Sequence, residues 1–215
     1  MPDKITTAID RLNNILPLKS RQQKLPSEIQ QLYRNILDAY IQLGRSLNKK
    51  ELAVINNAGE ACDILQKNDM VILDNAGNLV GAYPFTMEKR HYKVSFNNHS
   101  VYSMCALDSL AISSMYNIEV KIESRCHITA AAIEIYQQGK TLIKPSNNAD
   151  IYLGINWNAA SQGTACANSL CTEMIFLKQK NTALKWLNEQ ADQRQIFTLD
   201  EAIAFAAGFF TPLLD

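Results

Sequence analysis

The sequence has 215 residues, 47% of them hydrophobic and 20% charged, the make-up of a globular chain long enough to bury one large core or two small ones. Its 21 basic residues balance 21 acidic ones, so no overall charge draws it to nucleic acid or to an anionic membrane. No apolar run approaches the roughly 20 residues of a membrane helix, and residues 1–20 are too polar for a secretory signal; the chain reads as cytoplasmic, with five free cysteine thiols.

The first third reads as helical. Ile5, Ile9, Leu12 and Leu16 form an apolar stripe that stops at Pro17. Ser27-Glu-Ile-Gln30 has the pattern of a capping box, ahead of Ile29, Leu32, Tyr33, Ile36, Leu37, Tyr40 and Ile41. Asn48-Lys-Lys-Glu51 repeats that pattern before Leu52 and Ile55, and a further helix is expected over 59–67. The run 70–73, the turn Asp74-Asn-Ala-Gly77 and Leu79-Val80 predict a hairpin. Helices followed by a small hairpin make residues 1–82 a winged helix-turn-helix-like module. Its would-be recognition helix carries Glu60 and Asp63 against Lys67, where phosphate contact calls for Lys and Arg, so it reads as scaffold without nucleic-acid binding. The basic residues Arg45, Lys49 and Lys50 read as a solvated face.

Residues 83–215 read as an α+β domain, a mixed or antiparallel sheet with flanking helices. Residues 91–102 predict a hairpin with Asn97-Asn98 at its tip. Strands are expected at 118–122, at 132–136 and 141–144 around Gln138-Gly139, at 151–157, and at 170–178 with Cys171, Glu173, Ile175 and Leu177 on one face. Long loops are expected at 145–150 and 158–168. Two helices close the chain, 182–191 and one opened by the capping box Thr198-Leu-Asp-Glu201.

The stretch Tyr102-Ser-Met-Cys105-Ala-Leu-Asp108-Ser-Leu110 carries the functional signal. It opens an apolar run, Leu107, Leu110, Ala111 and Met115, with helical spacing, placing Cys105 and Asp108 on one face of a first turn. A thiol there meets free N–H groups and the positive end of the helix dipole, which lower its pKa towards neutrality. For Asp108 the dipole lowers the pKa while burial raises it. Of the other cysteines, Cys62 and Cys126 read as buried structural thiols, and Cys166 and Cys171 are five apart, which fits no zinc spacing. Cys126-His127 could begin a metal site, but nothing in the sequence completes it.

Tyr102-x-x-Cys105-Ala-Leu-Asp108-x-Leu110, a strand leading to Cys126, and Cys171-x-x-x-x-Phe176 together resemble the organomercurial (alkylmercury) lyases. Trp186 and Thr198-Leu-Asp-Glu-Ala202 fall where similar residues occur in that family, and the likeness covers about residues 83–210. It implies protonolysis of a carbon–mercury bond, giving Hg(II) and a hydrocarbon. Cys105 corresponds to the first mercury-binding thiol, Cys171 to the second, Asp108 to the proton shuttle and Cys126 to a structural cysteine. Mercury is then substrate and product, with no resident cofactor; exogenous low-molecular-weight thiols, or a mercuric reductase, accept the Hg(II). The sequence departs from the family in having Met104 before the first cysteine and Thr172 after the second, with Cys166 as an extra thiol. Two other readings use the same residues. One is a non-catalytic protein that sequesters a soft metal through Cys105 and Cys171; the other is a winged-helix regulator sensing thiol-reactive compounds. Asp108 separates the lyase from the sequesterer, because binding alone needs no proton donor.

Overall fold

The computed structural model describes residues 3–143, 150–161 and 164–215. Helix α1, Lys4–Ile15, starts where the Asp3 carboxylate accepts the N–H groups of Ile5 and Thr6, and it ends ahead of Pro17. A short α2, Leu18–Gln23, not expected from the sequence, leads to α3, Ser27–Leu43. Here the capping-box expectation fails. Pro26 is the cap residue, Ser27 lies already inside the helix, and the Gln30 amide donates to the Leu25 carbonyl at 2.8 Å instead of reaching back. Gly44, at φ +65, stops α3 in the left-handed conformation that glycine adopts at little cost. The box at Asn48 and Glu51 forms as expected and opens α4, Lys49–Ala53, followed by α5, Ala58–Lys67.

Strands β1, Val71–Leu73, and β2, Leu79–Ala82, make the expected hairpin. β2 also pairs with β3, Phe85–Thr86, so the hairpin is one edge of a larger sheet. That sheet takes in β4, Tyr92–Phe96, and β5, His99–Ser103, joined through Asn97 and Asn98, both at positive φ as a tight hairpin turn demands. After α6, Ala106–Tyr116, come β6, Glu119–Arg125, β7, Ala132–Gln138, and β8, Thr141–Leu142. The eight strands are antiparallel, in the order β1-β2-β3-β5-β4-β6-β7-β8.

A second antiparallel sheet holds β9, Ile151–Asn156, between β10, Met174–Lys178, and β11, Arg194–Thr198. Helix α7, Lys180–Asn188, precedes β11, and α8, Leu199–Phe210, follows it with its capping box formed. The expected loop over 145–150 lies, but for Asp150, outside the described residues, as does Lys144 at the end of an expected strand. Within the other expected loop the chain forms two 3₁₀ turns, Trp157–Ala159 and Cys166–Asn168.

Helix α6 lies at the centre. It packs against α8, β10 and strands of the large sheet, and nine of its residues are buried, from Ala106 to Met115. A helix apolar on all sides belongs inside the core. Its polar members are satisfied there: Ser109 donates to the Ala106 carbonyl at 2.7 Å and Ser113 to that of Ile118 at 2.6 Å. The first turn of this buried helix therefore faces protein, not water.

Candidate active site

Cys105 is the N-cap of α6, with extended backbone angles of φ −147 and ψ 179, and its Sγ accepts the N–H of Asp108 at 3.3 Å. The sulfur thus occupies the position where a serine oxygen would cap a helix. Asp108 follows in the first turn, 1% exposed, like Cys105.

Cys171 arrives from the far side. It sits in a 3₁₀ turn, Leu170–Glu173, and the strand begins only at Met174, so it does not share a strand face with Ile175 and Leu177 as the alternation predicts. Local hydrogen bonds hold the turn against extension: Thr172 Oγ1 donates to the Ser169 carbonyl at 2.7 Å, and Ser169 N–H to that of Cys166 at 3.1 Å. The preceding turn is clamped from the amino-terminal part of the chain. Asp69 accepts Cys166 N–H at 3.0 Å and the Tyr83 hydroxyl at 3.1 Å, and that hydroxyl accepts Ala167 N–H at 2.8 Å.

The outcome is a buried group in which one ligand atom each of Cys105, Asp108 and Cys171 lies within 4.8 Å of the others. Among the described residues this is the one cluster of three such ligands. Cys171 Sγ is 4.0 Å from Asp108 Oδ2 and 3.6 Å from Cys166 Sγ; Met174 Sδ is 3.6 Å from Cys105 Sγ. A cavity of about 380 Å³ reaches the group, lined among others by Arg90, Tyr92, Met104, Cys171 and Thr172. Cys171 lines it and Cys105 does not.

Burial sets the electrostatics. It pushes the Cys105 thiol up to about 12, against smaller hydrogen-bond contributions from Cys171 and Asp108 N–H. The thiolate expected from the helix start does not form at rest, because the dipole is outweighed by loss of solvent. Cys171 is also raised, first by its contacts with Cys105 and Cys166 and then by burial. Asp108 is raised to about 7 by burial, with Cys105 and the Arg90 charge pulling the other way.

This has a measurable consequence for stability. Between about pH 4 and about pH 7 the folded chain keeps a proton on Asp108 that the unfolded chain has lost, so stability falls as pH rises, by up to about 1.4 kcal/mol per unit from this group. Asp108→Asn is expected to gain stability relative to the parent over that window. Urea unfolding at about pH 5 and about pH 8 measures it; the same offset at both would mean that Asp108 titrates normally.

Cys126 lies outside the cluster and is buried, as is Cys62. Its surroundings are not purely apolar: Sγ accepts Lys178 N–H at 3.3 Å. Burial raises its pKa, but hydrogen bonds from Thr129, Lys178 and Ile128 outweigh that and leave it lowered. Serine can accept the same N–H, so Cys126→Ser is expected to be tolerated, whereas Cys126→Ala strands the donor at about 1–3 kcal/mol. Equilibrium unfolding of the two variants should rank alanine below serine; the reverse order would mean that the Lys178 N–H contact contributes nothing.

Residues 85–211, which include the cluster, match the family described as MerB: Alkylmercury lyase. The chain belongs to the alkylmercury lyase family. Alkylmercury lyases of Bacillus cereus and Clostridium butyricum are each 22% identical over 185 residues, spanning 85% of this chain and 83% of theirs. That of Staphylococcus epidermidis is 22% identical over 133 residues, 62% of this chain, and the alignment spans 60% of that relative. The crystal structure of the mercury-bound form of MerB2 has the same fold, with a TM-score of 0.72 at 22% identity over 92% of this chain and 98% of that one. Two of the three departures noted in the sequence, Met104 and Thr172, line the 380 Å³ cavity. The residues with no sequence signal are Asp69, Tyr83, Arg90 and Met174, which reach the site from separate elements; Arg90 donates to the Ala167 carbonyl at 3.2 Å.

Proposed function

We propose that this protein is a carbon–mercury lyase that protonates the carbon of an organomercurial, releasing a hydrocarbon and leaving Hg(II) on two thiolates. The observation that carries this reading is the buried group of Cys105, Asp108 and Cys171. It offers two soft ligands to a soft metal, and a carboxyl group beside them. A sequestering protein has no use for that carboxyl, so Asp108 favours catalysis over storage.

That Cys171 lines the cavity supports a reading in which it meets substrate first, whereas the family resemblance implies Cys105 first. A thiol that binds mercury gives up its proton outright, even one whose pKa is raised. Asp108, poised about 7 and 4.0 Å from Cys171 Sγ, takes that proton. Cys105 then binds and adds electron density at mercury, and its proton is the one released to solvent overall. Asp108 hands a proton to the carbon as the carbon–mercury bond breaks. The balance is R–Hg⁺ plus two thiols giving R–H, a bis-thiolate Hg(II) and one proton, with mercury in the +2 state throughout. The burial of Cys105 and Asp108 limits the access of water as a competing proton source and strengthens each of these interactions.

In this reading residues 1–82 act as a winged-helix-like scaffold and 83–215 carry the chemistry, in the cytoplasm, with small thiols or a mercuric reductase taking the metal away. Incubation with a simple arylmercurial and excess thiol tests the whole: the free arene should accumulate over several turnovers. Capture of the intact organomercurial without arene would leave only the sequestering role.

A further inference from the structure

A bis-thiolate mercury complex is hard to dissociate, and here both sulfurs are nearly sealed, Cys105 at 1% and Cys171 at 4% exposure. Product release therefore needs an incoming thiol. In the lyase reading the 380 Å³ cavity, which Cys171 lines, admits the next substrate. A second cavity, about 600 Å³ and sharing none of the described lining residues with the first, is lined by Arg21, Lys67, Asp69, Ala165, Cys166 and Ser169 among others. Cys166 lines this one and Cys171 the other, and their Sγ atoms are 3.6 Å apart. The two sulfurs thus bring together one lining residue of each cavity.

We propose that Cys166 is a hand-off thiol, taking Hg(II) from the Cys105–Cys171 pair and passing it to a small carboxylate-bearing thiol that docks in the 600 Å³ cavity. The proposal rests on the lyase reading for the origin of the Hg(II). Geometry supports it in three ways. The Cys166 backbone is held by Asp69, and Ala167 by Tyr83, so the turn that presents the thiol beside Cys171 is fixed. Cys166 is only 4% exposed, which admits a slim small-molecule nucleophile more readily than a protein surface. Arg21 and Lys67 bring two positive charges against the single carboxylate of Asp69, which is already taken up by Tyr83, Cys166 N–H and Arg21 at 4.0 Å. That leaves positive charge for a carboxylate on the incoming thiol.

The chemistry balances without any change of oxidation state. Cys166 attacks Hg(II); a mercury–Cys166 bond forms, the mercury–Cys105 bond breaks, and the proton lost by Cys166 passes to Cys105. A first small thiol then displaces Cys171 from mercury and gives it a proton. A second displaces and protonates Cys166, so Hg(II) departs as the bis-thiolate of the small thiol and all three cysteines are again thiols.

The test loads the protein with one equivalent of mercuric chloride, removes unbound metal, adds mercaptoacetate or neutral 2-mercaptoethanol, and follows mercury released by atomic absorption. It bypasses carbon–mercury cleavage, so a failed lyase reading and a failed hand-off are separate results. Cys166→Ser and Cys166→Ala are each expected to release mercury about tenfold more slowly than the parent, since access of the attacking thiol governs exchange. Lys67→Gln, which changes no cysteine, is expected to erase the advantage of mercaptoacetate over 2-mercaptoethanol. Equal or faster release from both Cys166 variants would overturn the hand-off. A mercaptoacetate preference that survives Lys67→Gln would overturn the docking site.

Discussion

Cys105→Ser and Cys171→Ser are each expected to abolish turnover while the chain stays folded. An alcohol is a hard, weakly acidic ligand; it neither captures Hg(II) from solution thiols nor releases its proton to do so. With one sulfur left, mercury can be bound but not given the second thiolate that weakens its bond to carbon. The loss should reach at least about 10³ in turnover, the scale met when one member of a cooperating set is removed. The structure explains why folding survives. At position 105 the side chain caps α6 by accepting Asp108 N–H, a task serine performs well. At 171 the 3₁₀ turn is held by Thr172, Ser169 and the backbone of Cys166. Arene release measured by gas chromatography, beside circular dichroism for the fold, decides the matter. A Cys171→Ser protein keeping more than about a tenth of the activity would remove Cys171 from the reaction.

How much of this was legible in the sequence depends on how local each cause is. The capping boxes at Asn48 and Thr198 formed because every partner lies within three residues, and Asn97-Asn98 turned the chain because both residues tolerate positive φ. The three-residue spacing of Cys105 and Asp108 sufficed to place them together, given a helix start. Ser27 misled because the proline before it takes the cap position, a competition the box pattern ignores. Strand β11 gave no signal: Arg194, Gln195 and Ile196 are all half-buried, so there is no alternation, and the strand exists because β9 offers it an edge. The Asp69–Tyr83 clamp joins residues about 80–100 positions from the turn they hold, beyond any periodicity. The resting state of Cys105 could not be read locally either. The helix-start argument is sound for an exposed turn, and it fails here because α6 is buried on all sides.

Asp108→Asn is expected to separate capture from cleavage. Both thiols remain, so the variant and the parent alike should take up an organomercurial in one equivalent. Asparagine is close in size and can accept a similar hydrogen bond, and it removes the group that titrates about 7 in the folded chain. The amide can neither take the proton that Cys171 releases nor deliver one to carbon. General acid–base assistance is worth about 10²–10⁴ in rate, so the single-turnover release of arene should fall by that factor while the adduct builds up. Mass spectrometry distinguishes the two states, because the stalled adduct still carries the organic group and the finished product carries mercury alone. The contact of 4.0 Å between Cys171 Sγ and Asp108 Oδ2 makes the prediction specific to this carboxyl, since Glu173, the nearest acidic residue in sequence to Cys171, is absent from the buried group. Release of arene from Asp108→Asn at the parent rate would return Asp108 to the role of a carboxylate complementing the start of α6, with the proton passing to carbon directly from a thiol.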